Sequence, residues 1–217
     1  MPSLTTYTAF VAAALAMQLV PGPETMLVVS RGIGEGRRVC FYTVWGMTLI
    51  AGAIQLPLLA LGVASLLAAS RLSFELLRCG GAVYLVWLGA RLVLSRGNEV
   101  GRGQPARHGR SAVRAMRDGL ITNLGNPNPI VFMLAFLPQF VDAGRGSVTL
   151  QLLVFGATQK ITGFLVLGST ALASSAVGAL LARRPGWLVW QRRIAGFVMI
   201  GLGLRLLLAG DLKATQN

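Results

Sequence analysis

Glu24 follows Pro21-Gly22-Pro23 inside one apolar stretch, and Asn126-Pro127-Asn128-Pro129 interrupts a second, with Asn123 just upstream. Gln159-Lys160 lies inside a third. A carboxylate accepts hydrogen bonds from an ammonium or carries a proton, a lysine ammonium donates to a carboxylate, and side-chain amides do both. These are the groups that hold a zwitterion. An ionisable side chain in the middle of a bilayer costs about 2.5–3.5 kcal/mol on insertion scales, so Glu24 and Lys160 each require an explanation. In one, both face a central cavity, with Glu24 serving an ammonium or a coupling proton and Lys160 serving a carboxylate. In the other, they form a structural salt bridge that locks two spans together, tolerable only if well hydrogen-bonded.

Proline donates no N–H and clashes with the preceding turn, so both proline pairs predict an opened backbone. Such backbone survives at membrane depth only when it lines a cavity or is buried in protein. Opened ends at Gly22 and Asn126 are expected to offer free N–H and C=O groups. Matched Pro/Gly interruptions in two halves of a membrane chain point to a transporter's binding site.

Other chemistries lack their residues. The single histidine, His108, sits in a basic segment, which leaves no Ser-His-Asp set. No two carboxylates share a span for acid–base work, and no phosphate-cradling G-x-x-x-x-G-K-[ST] occurs. Gly32-x-Gly34-x-Gly36 follows no strand and reads as part of a loop. Cys40 and Cys79 form no C-x-x-C and no metal spacing, so no metal or cofactor is expected. The net charge of +13 comes without a basic helix face or an aromatic RNA-binding pattern, which argues against nucleic acid.

The chain that positions these residues has 217 residues, 54% hydrophobic and 12% charged, with mean hydropathy +0.65. That composition fits an all-α integral membrane protein. Six spans are expected, at about Tyr7–Ser30, Val39–Leu67, Phe74–Leu94, Met116–Val141, within Leu150–Leu181, and Ile194–Leu208. Five result if the first half of the fourth stays outside the hydrocarbon. The N-terminus lacks a basic leader and a cleavage site, and reads as a retained first helix.

Arginines gather in alternate loops. Arg31, Arg37 and Arg38 follow span one, Arg96 to Arg117 follow span three, and Arg183, Arg184, Arg192 and Arg193 follow span five. The positive-inside rule then puts those loops in the cytoplasm and both termini outside, in the inner membrane. Arg117 and Asp118 read as interfacial. Residues 1–95 form one three-helix repeat, residues 96–115 a basic linker, and residues 116–217 a second repeat of opposite orientation. Gly-rich third and sixth spans fit either internal packing or pairing in a homodimer.

Several strings resemble the lysine exporter family, which includes the homoserine/threonine exporters (LysE/RhtB). They are Pro-Gly-Pro near the end of span one with the following Gly32–Arg38 segment, and Gly80-Gly81-Ala82-Val83-Tyr84-Leu85 with Leu88-Gly89. Asn123 through Asn126-Pro127, then Phe132 and Phe136-Leu137-Pro138-Gln139-Phe140, is similar to a third family segment, and Gly196–Arg205 to its last helix. The resemblance implies an exporter of amino acids or related small metabolites, coupled to the proton gradient. The chain departs from the family pattern at Asn128, where many members have Lys, and at Glu24, where many have Asn or Asp.

The expected protein is therefore an inner-membrane amino-acid exporter, not an enzyme, working by proton-coupled alternating access. Its site would comprise Pro21, Gly22, Pro23, Glu24, Asn123, Asn126, Pro127, Asn128, Gln159 and Lys160, with Glu24 carrying the proton. A passive channel for small solutes and a membrane accessory protein that transports nothing are the two rival readings.

Overall fold

The computed structural model describes residues 2–19, 22–69, 71–94, 111–174, 176 and 185–214. Among them every regular element is helical. Helix α1 (Leu4–Gln18) starts at Ser3, whose Oγ accepts from Thr6 N at 3.1 Å. Helix α2 (Pro23–Gly34) is inclined 57° to α1. It starts from extended Gly22 with Pro23 in its first turn, where the missing N–H would lack a helical partner anyway.

The Gly/Arg loop expected after span one is much shorter than the sequence suggests. Arg31, Gly32 and Gly34 belong to α2, and only Glu35 and Gly36 separate it from α3 (Arg37–Trp45). Gly36 has φ of +90°, which its lack of a Cβ permits. Helix α3 passes through a π-helical turn, Gly46–Ile50, into α4 (Ala51–Ala69). Helix α5 spans Arg71–Leu94.

Helix α6 (Ala112–Leu124) is capped by Ser111 and begins ahead of the expected Met116. Most of the expected linker lies outside the described residues. The fourth span breaks where its prolines predict: α7 (Pro127–Val131) starts at Asn126, and the segment through Phe140 is inclined 58° to α6. It continues as a π-helical turn, Phe132–Phe136, and a 3-10 turn, Leu137–Phe140. Helices α8 (Val148–Leu172) and α9 (Pro185–Ala214) complete the fold.

Arg37–Val63 and Val148–Leu172 are long and apolar enough to cross a bilayer. Each bent pair meets the same standard when taken as one span. Among the described residues two to four candidate spans result by length and composition. Helices α5 and α9 hold only shorter apolar stretches, Cys79–Leu94 and Gly196–Arg205. Arg71, Glu75 and Arg78 occupy the first half of α5, and Arg192 and Arg193 precede the apolar part of α9.

Small residues let the backbones touch, as in helix packing without a hydrophobic drive. A Cβ on Gly46 would overlap the Met116 carbonyl, and one on Gly119 would overlap that of Thr43, so α3 and α6 cross in direct backbone contact. A Cβ on Gly89 or Gly196 would lie 2.5 Å from the other's carbonyl oxygen, so these glycines serve α5–α9 packing. Gly80 and Gly201 meet nothing within 4 Å.

Two apolar clusters flank the centre. One joins Phe10, Phe132, Phe136 and Phe155 with Leu59 and Leu152, and Phe140 packs against it. Its ring centroids approach to 4.7 Å between Phe10 and Phe155 and 5.0 Å between Phe136 and Phe140. The other joins Val28, Cys40, Val44, Met47, Leu167 and Ala171.

Candidate functional site

The two helix breaks meet through side chains. Glu24, in the first turn of α2, accepts at Oε1 from Asn123 Nδ2 at 2.9 Å and from Asn126 Nδ2 at 3.0 Å. Asn123 is in the last turn of α6 and Asn126 is the residue from which α7 starts. Both amides are almost fully buried. Their paired N–H groups serve a carboxylate oxygen that the surrounding apolar helices cannot solvate.

Lys160 enters from α8. Its Nζ donates to Gln55 Oε1 of α4, and lies 3.4 Å from Asn123 Oδ1. Gly52, one turn before Gln55, makes room for the lysine stem: a Cβ there would meet Lys160 Cγ at 3.3 Å. Among the described ion pairs none joins Glu24 to Lys160. The simple salt bridge considered from the sequence is replaced by an amide bridge, with Asn123 offering Nδ2 to the anion and Oδ1 to the cation.

A cavity of about 920 Å³ opens beside this network. Gly22, Pro23, Glu24, Asn123, Asn126, Pro127, Asn128, Gln159 and Lys160 all line it. Pro21 lies outside the described residues. The remaining wall is largely apolar, with Met17, Met26, Leu27, Met47, Leu88 and Met199 among its residues.

The two opened ends are not equivalent. At α7, Pro127 and Pro129 have no N–H, and Asn128 N donates to Asn126 Oδ1 at 3.2 Å. The free N–H groups expected at Asn126 are therefore absent or already used. At α2 no side chain caps the helix, so the N–H groups of Glu24 and Thr25 stay outside the helical ladder beside the cavity. The start of α2 is the end suited to receive an anionic group.

Arg31 corrects a second expectation. It is 2% exposed rather than a loop arginine. Its Nη2 donates to Asp118 Oδ2 at 2.6 Å, and Nη1 donates to Thr43 Oγ1 at 2.6 Å and to the Ala115 carbonyl at 3.3 Å. Asp118, with 21% of its side chain exposed, is thus ion-paired to Arg31, and neighbouring Arg117 is largely exposed. Arg31 lies two turns along α2 from Glu24, and that spacing was the available signal.

Sequence reasoning also missed Gln55 and Gln18. Gln18, at the end of α1, donates from Nε2 to the Gln159 carbonyl at 2.9 Å and to Thr162 Oγ1 at 3.1 Å. Both glutamines are lone amides in apolar runs, a weaker signal than charge. Among the described residues no three His, Cys, Asp or Glu side chains gather as metal ligands would.

Residues 15–210 match the LysE type translocator family. An uncharacterized membrane protein of Vibrio cholerae is 32% identical over 199 residues, covering 91% of this chain and 94% of the relative. Leucine efflux proteins of Enterobacter sp. (strain 638) and Klebsiella pneumoniae are each 27% identical, covering 91% and 92% of this chain and 92% and 93% of theirs. No solved structure matches.

Proposed function

The chain belongs to the LysE type translocator family, and from that premise we propose that it exports amino acids with apolar side chains by proton-coupled alternating access. The single observation that carries this reading is the contact between the two helix breaks beside a cavity of about 920 Å³, which brings Glu24, Asn123 and Lys160 together with methionine and leucine side chains. The names of the leucine efflux relatives support the choice of substrate.

The zwitterion's carboxylate goes to Lys160 and to the free N–H groups at the start of α2. Its side chain packs against the methionine- and leucine-rich wall. Glu24 carries the coupling proton: protonation neutralises a carboxylate that two amides hold in place, so its charge changes without loss of its position.

The cavity and the aromatic cluster fall on opposite sides of the breaks. Along α1 and α8, Phe10 and Phe155 precede the lining residues Gln18 and Lys160. After the second break, Phe132 and Phe136 follow Asn128. The cavity instead runs toward Arg31, Asp118 and Arg91, near the ends that join the basic segments. With those segments cytoplasmic, this is an inward-facing state sealed outward by aromatic rings.

The full architecture we propose is six spans in two inverted repeats, residues 1–95 and 116–217, joined by the basic linker. Both termini lie outside the inner membrane, and α5 and α9 complete their spans with flanking residues. A homodimer would use faces such as those of Gly80 and Gly201. Counterflow in proteoliposomes across a panel of amino acids, with and without an imposed pH gradient, tests the function. Exchange of L-leucine or a similar amino acid, with net flux that follows the proton gradient, is expected. Flux independent of the proton gradient means a passive facilitator, and no flux means a protein that transports nothing.

A further inference from the structure

Two amide oxygens in the cavity wall accept nothing. Gln18 Oε1 and Gln159 Oε1 are both buried and lack a hydrogen-bond donor. Both residues line the cavity, and Gln159 is 6% exposed. A buried acceptor without a donor is costly, so such groups mark where a donor belongs.

The orientation of Gln18 is determined by its neighbours. Its Nε2 faces the Gln159 carbonyl at 2.9 Å and Thr162 Oγ1 at 3.1 Å. A flipped amide would set oxygen against the carbonyl oxygen, so the observed orientation is the one the hydrogen bonds require. Anchoring the nitrogen on α8 leaves Oε1 as a fixed acceptor. The same bond ties Gln18 to Gln159, so the two acceptors sit on adjoining residues of one wall.

We propose that Gln18 and Gln159 form the subsite for the substrate's primary ammonium group, a role that rests on the exporter reading above. Three N–H donors of an ammonium need acceptors when they leave water. Two neutral amide oxygens supply acceptors for two of them without adding charge. Glu24 Oε1 is already engaged by Asn123 and Asn126. The two roles that the sequence left open for Glu24 are thereby divided: the ammonium goes to the glutamines, and the carboxylate keeps the proton. Neutral acceptors hold a cation loosely enough to release it, as transport requires.

The test uses L-leucine and 4-methylpentanoate, the same carbon skeleton without nitrogen. Wild-type proteoliposomes are scored for half-saturating leucine in counterflow and for inhibition of that counterflow by 4-methylpentanoate. Gln159→Leu removes an acceptor whose side chain anchors no other helix among the described hydrogen bonds. Gln18→Leu also removes the α1–α8 tie, so correct folding is checked by a melting transition. The expected result is about a tenfold or greater rise in half-saturating leucine for Gln159→Leu, as for loss of a hydrogen bond to a charged group. Inhibition by 4-methylpentanoate should stay unchanged, and Gln159→Glu should bind leucine more tightly than Gln159→Leu. Equal loss for both compounds, or unchanged leucine affinity, overturns the subsite while leaving the exporter reading intact. Wild-type vesicles that move no amino acid remove that reading, and the subsite with it.

Discussion

Glu24 Oε1 accepts a hydrogen bond from Asn126 Nδ2 at 3.0 Å, so the residue that opens the first turn of α2 touches the residue from which α7 starts. The two positions are separated by about half the chain, and each lies beside a proline that begins a helix, Pro23 in α2 and Pro127 in α7. Two kinks alone would be ordinary in membrane helices, where proline is more frequent than in soluble ones. Here the polar groups of the two kinks bond to each other beside a cavity, and the proposed site rests on that contact.

Glu24→Gln separates geometry from charge. The amide oxygen still accepts from Asn123 and Asn126, while the proton and the negative charge are lost. Export driven by a pH gradient should fall by about tenfold or more, with protein still in the membrane and counterflow retained. Normal pH-driven export by this variant would show that Glu24 carries no coupling proton.

The Arg31–Asp118 pair, with its guanidinium buried and its carboxylate partly exposed, ties α2 to α6. Removing one partner leaves the other charge uncompensated in a partly buried place, at a cost below the roughly 3–5 kcal/mol of a fully buried pair. Arg31→Met should therefore lower the melting temperature in detergent more than the double variant Arg31→Met/Asp118→Leu does. Additive losses would mean that the two side chains are not coupled.

The helix breaks were legible in the sequence because proline acts locally: it removes an N–H wherever it sits. What the freed ends offer was not legible, since it depends on neighbours. Asn126 Oδ1 uses the one N–H that the α7 prolines leave near the start of that helix, so only α2 retains donors. Arg31 was hidden by the same rule that orients the chain. Counting arginines as loop residues is sound on average, but α2 runs three residues past Arg31. Gln18 and Gln55 were hidden because an uncharged amide does little to the apolar pattern of its segment, although Gln55 holds Lys160. Span number stayed ambiguous because α5 and α9 carry charges through part of their length.

Close backbone approach makes Gly119 a sensitive position. Its Cβ would overlap the Thr43 carbonyl, so Gly119→Val should force α3 and α6 apart and sharply reduce folded protein. Gly62 meets nothing within 4 Å, so Gly62→Ala should leave the melting temperature unchanged or raise it slightly, since helical glycine is less stable than alanine by roughly 0.5–1 kcal/mol. Fluorescence-detected size exclusion and thermal melting distinguish these outcomes. Equal effects at both positions would contradict the crossing described here.

Occupancy of the polar hollow by substrate, where the two breaks meet, is open to a direct test. Asn128 lines that hollow, and of the native cysteines Cys40 is buried and Cys79 exposed. In a Cys79→Ser background, Asn128→Cys tests occupancy through its rate of reaction with a membrane-impermeant maleimide in proteoliposomes. Labelling is expected from the side of the basic segments, slowed by about tenfold at saturating L-leucine. Labelling at the same rate with and without leucine, or no labelling from either side, would contradict that occupancy.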